Sequence, residues 1–448
     1  MPLTGSEIEE LKGNRFHIDL LEMRLTRRGN AEDVYSGSGF IQQAAEGEVE
    51  FRLYDRARQP TIGFGSFIRG TPIEDGQYYD LEARDISGRT WRASRVIVGA
   101  SGAIGVAGCI CQGRLRQVTC VIETTSEEGL WMYLPGEVKL PTNAITQIVE
   151  EALGRTSFRS NINLWEVKSE RFELLLTKVE GGLEVDGSFL CNPFPEQFEQ
   201  RLEEALWFTL AFPAKWTLLD TRKGGEHSFI IRTLRDKPWN PLLRPPLEPE
   251  HGEQADHIGR MFLLYLDYIL PYAKPPYYHP TSVTVYQALR ASAFSLNAEA
   301  WQLSIAVESL ARSGFPELGR PGTDDLTAFD EAVKYVEGWT GDEVVKRRIV
   351  WAISTWRGSN PREVLKQLAK KGVITEQQVE AWNAIRHRIA HGRELLDVLD
   401  ELPALCDTVY MAFVRMMFEV IGYSGPYTDR SSRGWPQALY EVKGRMSD

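Results

Sequence analysis

A chain of 448 residues is several times the typical domain length, so two or three domains and a sizeable core are expected without disulfide staples. With 43% hydrophobic and 25% charged residues it lies in the ordinary globular range, which excludes a disordered, collagen-like or purely coiled-coil protein. Acidic residues outnumber basic ones by 62 to 51, and the net charge of −11 argues against a surface given over wholly to nucleic acid or anionic membrane; any nucleic acid must meet a local basic island.

The opening residues, MPLTGSEIEELKGNRF, carry no apolar stretch of the kind a secretory signal needs. Cys109, Cys111, Cys120, Cys191 and Cys406 are odd in number and form no C-x-x-C pair, the usage of a reducing, cytoplasmic compartment. The first half then reads as strand. Val49, Phe51 and Leu53 alternate with polar residues, as do Tyr79, Leu81 and Ala83, and similar runs recur at WRASRVIV, RLRQVTCVIE, NINLWEV, ERFELLLTKVEGGLEV and HSFIIRTL. The uncharged stretch 96–113 reaches the length of a membrane helix, but Gly99, Gly102, Gly105, Gly108 and Gly113 favour a Gly-rich β connection instead. The same glycines make neither a dinucleotide loop nor a nucleophile elbow, because a strand follows where both motifs need a helix. One amphipathic helix is set into this half, with Phe198, Leu202, Ala205, Leu206 and Leu210 on one face after Pro195. The reading for residues 1–235 is a β-rich sandwich or barrel-like domain with one packed helix.

Residues 236–250, DKPWNPLLRPPLEPE, hold five prolines and read as a linker between domains. Beyond it, in 251–448, the period becomes helical. Ile258, Phe262, Tyr265 and Ile269 share a face before Pro271. Asn297 is placed to cap a helix carrying Leu303, Ala306, Val307 and Leu310, and Thr323 one carrying Leu326, Phe329, Val333 and Val336. Asn360-Pro361 opens a helix that stops at Gly372; Thr375 and Gln378 form a capping box ahead of Val379, Trp382, Ile385 and Ile389; the last helix runs through Leu405, Val409, Phe413, Met416 and Val420. The second half is an all-α bundle.

The basic island lies in that bundle. Ala381 to Arg393, AWNAIRHRIAHGR, has Arg386, Arg388 and Arg393 with His387 and His391 and no acid. On a helix the two histidines stand one turn apart on one face, flanked by Arg386. A guanidinium that grips phosphate beside an imidazole that can exchange protons near neutrality is a workable pair for cleaving a phosphodiester. The alternatives are a solvated basic helix face, or a zinc site from the i, i+4 histidines; Arg388 stands where a zinc protease would carry glutamate.

Arg386-His387-x-x-x-His391 resembles the R-x(4–6)-H motif of the HEPN (higher eukaryotes and prokaryotes nucleotide-binding) superfamily. The wider IRHRIAHG is similar to the version in ApeA-type antiphage proteins, in which a β-rich domain precedes a HEPN domain. The helix AEAWQLSIAVESLA resembles the family's upstream helix, with Glu308 at its acidic position. The motif also occurs at Arg222–His227 and Arg244–His251, in a Lys-Gly-Gly turn and the proline segment, where no bundle helix can present it. His387 departs from the commoner Asn or Asp, and Gly392 follows His391 directly.

The resemblance implies a HEPN-like α-helical domain acting as a metal-independent endoribonuclease without cofactor, in a composite site between two copies of the motif. His391 then handles protons at the ribose 2′-hydroxyl and the leaving oxygen, Arg386 stabilises the phosphorane, His387 orients or polarises, and Glu308 holds Arg386, with Arg388 and Arg393 in support. The implied partners are RNA, a second copy in a homodimer or higher even oligomer, and a phage-derived trigger sensed by the N-terminal domain, with no membrane. The implied setting is antiviral defence by abortive infection, or a related toxin activity. The alternative from another class is a non-catalytic dimeric scaffold or nucleotide- or RNA-binding protein built on the same bundle.

Overall fold

The structure is a computed structural model, and it describes residues 3–44, 47–56, 74–101, 108–123, 128–152, 155–190, 195–234, 239–249, 253–274, 278–319, 323–356, 360–390 and 400–444. The chain divides into two compact units. The first comprises Met1–Glu199 with Ala214–Trp239, and the second Gln200–Pro213 with Asn240–Asp448.

The first unit opens with α1 (Gly5–Lys12), which the sequence reading missed because eight residues give little periodicity. It starts in a capping box: Thr4 N–H donates to Glu7 Oε2 at 2.7 Å and Glu7 N–H to Thr4 Oγ1 at 3.3 Å. There follow β1 (His17–Arg27), β2 (Asn30–Gln43), β3 (Val49–Asp55), β4 (Tyr79–Asp85), β5 (Thr90–Val96), β6 (Gly99–Ser101), β7 (Cys109–Leu115) and β8 (Gln117–Glu123). The later strands are β9 (Gly129–Pro135), β10 (Ala144–Ala152), β11 (Arg155–Lys168), β12 (Phe172–Val179), β13 (Gly182–Phe189), β14 (Leu218–Lys223) and β15 (Glu226–Arg232). All fifteen hydrogen-bond into one sheet, in the order β10-β11-β12-β13-β9-β14-β15-β8-β5-β4-β1-β2-β3-β7-β6, rather than into separate sheets. Every pairing is antiparallel, the arrangement that lets one face bury while the other stays wet.

Period-two patterning fixes which face is which. β3 buries Val49, Phe51 and Leu53 and turns Arg52 and Tyr54 outward; β4 buries Leu81 and Ala83; β5 buries Trp91 and Ala93. These residues meet Ile8 and Leu11 of α1 in one apolar core. Within it Asp85 is almost fully buried, accepting from Trp91 Nε1 at 3.0 Å and Arg89 Nε at 2.6 Å, so its charge is compensated. Arg89 also reaches Glu7 at 2.8 Å and so ties α1 to the β4–β5 turn. β2 needs Gly37 because it runs tight against β3: a Cβ there would lie 2.0 Å from the Tyr54 carbonyl oxygen. The run RLRQVTCVIE is not one strand, since it breaks at Arg116 between β7 and β8. Of the glycine stretch, Gly99–Ser101 pairs with β7 as β6; Gly102 and Gly105 lie outside the described residues.

The helix at Phe198–Leu210 (α2) forms where expected, but from Gln200 on it groups with the helical unit, not with the sheet. The reason is aromatic: Phe208 stacks on Tyr265 at 4.7 Å and Trp207 meets Tyr286 at 4.7 Å, both partners belonging to the later helices. Nor is the proline segment a free spacer from Asn240 onward. Leu243 and Leu247 are buried, Tyr410 donates to the Arg244 carbonyl at 2.6 Å, and Thr428 N–H donates to the Pro246 carbonyl at 2.9 Å. Prolines remove backbone donors without removing carbonyl acceptors, so the stretch packs as irregular chain.

The helices of this unit are α3 (Glu253–Ile269), α4 (Pro280–Ser292), α5 (Leu296–Gly314), α6 (Thr323–Glu337), α7 (Glu343–Trp356), α8 (Pro361–Lys370), α9 (Glu376–Ala390) and α10 (Leu402–Ile421), followed by a hairpin of β16 (Gly425–Thr428) and β17 (Gln437–Tyr440). α4, α7 and the hairpin were not read from sequence. The cap of α5 is Ser295, whose hydroxyl accepts from Ala298 N–H at 3.2 Å, two residues before the expected Asn297. The Asn360 cap and the Thr375–Gln378 capping box form as read. The apolar α10 packs against α5, α9 and α3, whereas α6 and α7 pair with each other.

Among the described residues no helix is long and apolar enough to cross a membrane.

Candidate functional site

The site begins with how α9 is held. Val379, Trp382 and Ile385 are buried at helical spacing, and the Trp382 indole N–H donates to the Ser304 carbonyl of α5 at 3.1 Å. That anchor fixes the rotation of α9 against α5. One turn beyond Trp382, Arg386 emerges with its side chain 48% exposed, its guanidinium carbon 5.3 Å from the indole centroid.

Arg386 Nε donates to Glu308 Oε2 at 2.9 Å. Glu308 belongs to α5 and receives a second guanidinium, since Arg312 Nη2 lies 2.7 Å from Oε1. One carboxylate between two arginines leaves a net positive edge on this face. The pair uses the guanidinium Nε, so the outer nitrogens of Arg386 form no other ion pair among the described residues.

His387 is exposed beside Arg386, and Arg388 is half-buried. His391 and Arg393 lie outside the described residues, so of the six residues singled out from sequence the structure brings together Arg386 and Glu308; His387 and Arg388 follow on α9, Arg388 on a different side of the helix from Arg386. Another basic run, Lys346-Arg347-Arg348, lies on α7, where Lys346 Nζ is 3.8 Å from Glu343 and Arg347 Nε donates to the Glu343 carbonyl at 3.4 Å. Among the described residues no group of three or more His, Cys, Asp or Glu side chains is arranged to hold a metal ion. Cys109 and Cys111 are buried with their sulfurs 4.0 Å apart.

Two large apolar side chains are exposed on the Glu308 side of α5. Trp301 and Ile305 precede Glu308 by seven and three residues on α5, hence on the same side of the helix, and are 56% and 44% exposed. Apart from these, Tyr335 on α6 and Trp351 on α7 are 82% and 71% exposed. Large apolar side chains exposed side by side, as Trp301 and Ile305 are on α5, mark a candidate interaction surface.

A second charged cluster escaped the sequence reading. Arg201 and Glu204 pair on α2, Arg201 also donates to the Tyr272 carbonyl at 2.5 Å, and Glu204 accepts from His279 N–H at 3.0 Å. Burial pushes the Glu204 carboxyl up to about 7 and the His279 imidazole down to about 4, Arg201 adding to the latter. Arg201 and Glu204 are essentially inaccessible, so the cluster joins α2 to the connection before α4. A lone arginine on an amphipathic helix carries no signal that distinguishes it from a surface residue.

The chain matches no protein-family profile, no curated protein and no solved structure.

Proposed function

We propose that the helical unit is a HEPN-type bundle and that the protein is a metal-independent endoribonuclease whose site is centred on Arg386 and His391. The observation that carries this reading is the Arg386–Glu308 contact at 2.9 Å on paired helices, which presents a pre-oriented guanidinium on an exposed face. Pre-orientation matters because a charge already in place stabilises a developing phosphorane without reorganisation.

In this scheme RNA lies with a phosphate against the outer nitrogens of Arg386. His391 takes the proton from the 2′-hydroxyl, whose oxygen attacks the adjacent phosphorus, and the 5′-oxygen departs with a proton from an imidazole. The products are a 2′,3′-cyclic phosphate and a 5′-hydroxyl, and no metal enters. His387 orients the phosphate or polarises it. Two copies of the motif meet through the apolar face that carries Trp301 and Ile305, giving the site two sets of basic groups, as a homodimer or higher even oligomer. The β-rich unit holds the activity to a low basal level until a trigger raises it, because a fully active RNase would harm its host; antiphage abortive infection is the setting this fits.

Expression in bacteria tests the reading. Growth arrest by the wild-type chain, relieved by Arg386→Ala and by His391→Ala at equal protein level, supports it. A folded dimer that binds RNA and leaves both growth and RNA intact supports instead the non-catalytic scaffold.

A further inference from the structure

The outward face of the sheet carries a second basic surface, independent of the α9 motif. Two grooves of 720 and 590 Å³ adjoin there, both bordered by Arg24 and Glu82. Their cations are Arg24, Arg56, Arg84, Arg92, Arg95 and Arg116, and no lysine lines either groove. The register explains the cluster. Arg24 stands opposite Ser36 on β2 and Glu82 on β4, Glu82 opposite Arg92 on β5, and Arg92 opposite Thr119 on β8. In the next row Glu22 stands opposite Arg84, and Arg84 opposite Thr90. Five adjacent strands at about 4.8 Å spacing make the surface roughly 19 Å wide.

Three carboxylates are interleaved, and two are already engaged. Glu82 pairs with Arg92 at 3.2 Å, and Asp80 accepts from Arg28 at 2.9 Å and from the Arg95 backbone at 3.2 Å. Among the described residues Arg24, Arg84 and Arg116 have no carboxylate within ion-pair distance. They are exposed, in a chain whose net charge is −11. In the register Arg24, Arg84 and Arg92 each face a carboxylate or a hydroxyl, yet Arg24, Arg84 and Arg116 form no ion pair among the described residues, so their charge is open to an anion lying over the grooves. Guanidinium in place of ammonium favours planar, bidentate oxygen anions such as phosphate diesters. Ser36, Ser38, Thr26, Thr90 and Thr119 add short hydroxyl donors along the same floor. Arg95 lies over the Tyr78 ring at 4.9 Å, and Tyr54 is exposed at the groove rim, so flat surfaces for bases are at hand.

The geometry points to a binding site for single-stranded nucleic acid across strands β8-β5-β4-β1-β2. The phosphates lie against Arg24, Arg84 and Arg116. This site does not depend on whether the helical unit cleaves RNA.

The test uses the full chain and a fluorescein-labelled 2′-O-methyl RNA oligonucleotide of mixed sequence, which attack by a 2′-hydroxyl cannot consume, read by anisotropy in EDTA. The double variant Arg24→Ser/Arg84→Ser is expected to bind at least about tenfold more weakly, and the slope of log K against log salt to fall by about 1.4, two phosphate contacts at about 0.7 each. Arg116→Glu is expected to weaken binding in the same direction, while Arg171→Ser at the β11–β12 turn leaves affinity within twofold. Absence of binding by the wild-type chain at 0.1 M salt, or wild-type affinity in both groove variants with unchanged circular dichroism, overturns the proposal. So does a polyglutamate peptide that displaces the oligonucleotide at equal charge concentration, since the site is then one for acidic protein.

Discussion

Arg386 and Glu308 meet at 2.9 Å although 78 residues separate them, one on α9 and the other on α5. The contact is possible because Trp382 and Ser304 fix the helices one turn lower, so the charged pair inherits a geometry set by packing. If that geometry is what readies the guanidinium for phosphate, Glu308 is a positioning residue. Glu308→Ala is then expected to lower kcat for RNA cleavage by about ten- to a hundredfold with KM within about twofold, and Glu308→Asp to recover part of the loss. Equal effects on kcat and KM, without rescue by Asp, would assign Glu308 to general stability.

The apolar face beside that pair gives a prediction about assembly. Trp301→Asp and Ile305→Glu place charge where the proposed interface buries apolar surface, while Trp301 in the single chain is 56% exposed. Sedimentation is expected to show the wild-type chain as a dimer and either variant as a folded monomer, with cleavage lost alongside dimerisation. A monomer in the wild type at micromolar concentration would remove this interface.

The buried Arg201–Glu204 pair predicts a large stability effect. Arg201→Leu leaves the Glu204 carboxyl without its cation, and the expected loss is about 3–5 kcal/mol, read by urea unfolding. Adding Glu204→Leu is expected to recover most of it, since the cost lies in the unpaired charge more than in the missing bridge.

Glu299 predicts a pH dependence. It is buried in the first turn of α5, and burial, with Asp407 nearby, pushes its carboxyl up to about 7. A carboxyl that holds its proton more tightly when folded stabilises fully below its unfolded value near 4.5, and loses that contribution as pH rises through about 7. Glu299→Gln is therefore expected to raise Tm at pH 8 relative to wild type and to flatten the decline between pH 5 and 8. The two proteins should differ least near pH 4.5.

How much of this was legible in the sequence depended on the kind of signal. Strong alternation at Val49–Asp55 and capping chemistry at Asn360 and Thr375 are local, and those elements formed where the residues placed them. Ser295 and Asn297 are both good caps by residue type, and composition alone does not choose between them; in the structure Ser295 caps α5. The 240–249 segment packs through carbonyls that every residue possesses. Arg386 and His387 could be singled out because a basic island in an acidic chain is a contrast visible in one dimension, whereas Glu308 was reached only through the resemblance of its helix to the upstream HEPN helix. The arginine surface of the sheet was not visible, because Arg24, Arg84 and Arg116 come from separate stretches of the chain and line the grooves only once the sheet has formed.

Cleavage by Arg386 and His391 is tested most directly by incubating the purified 448-residue chain with a defined single-stranded RNA in EDTA and identifying the product ends. The account predicts fragments ending in 2′,3′-cyclic phosphate from the wild-type chain, and loss of those fragments by at least about a hundredfold in both Arg386→Ala and His391→Ala, with both variants folded. Intact RNA with the wild type, cleavage undiminished in either variant, or cleavage that appears only with a divalent metal would contradict it.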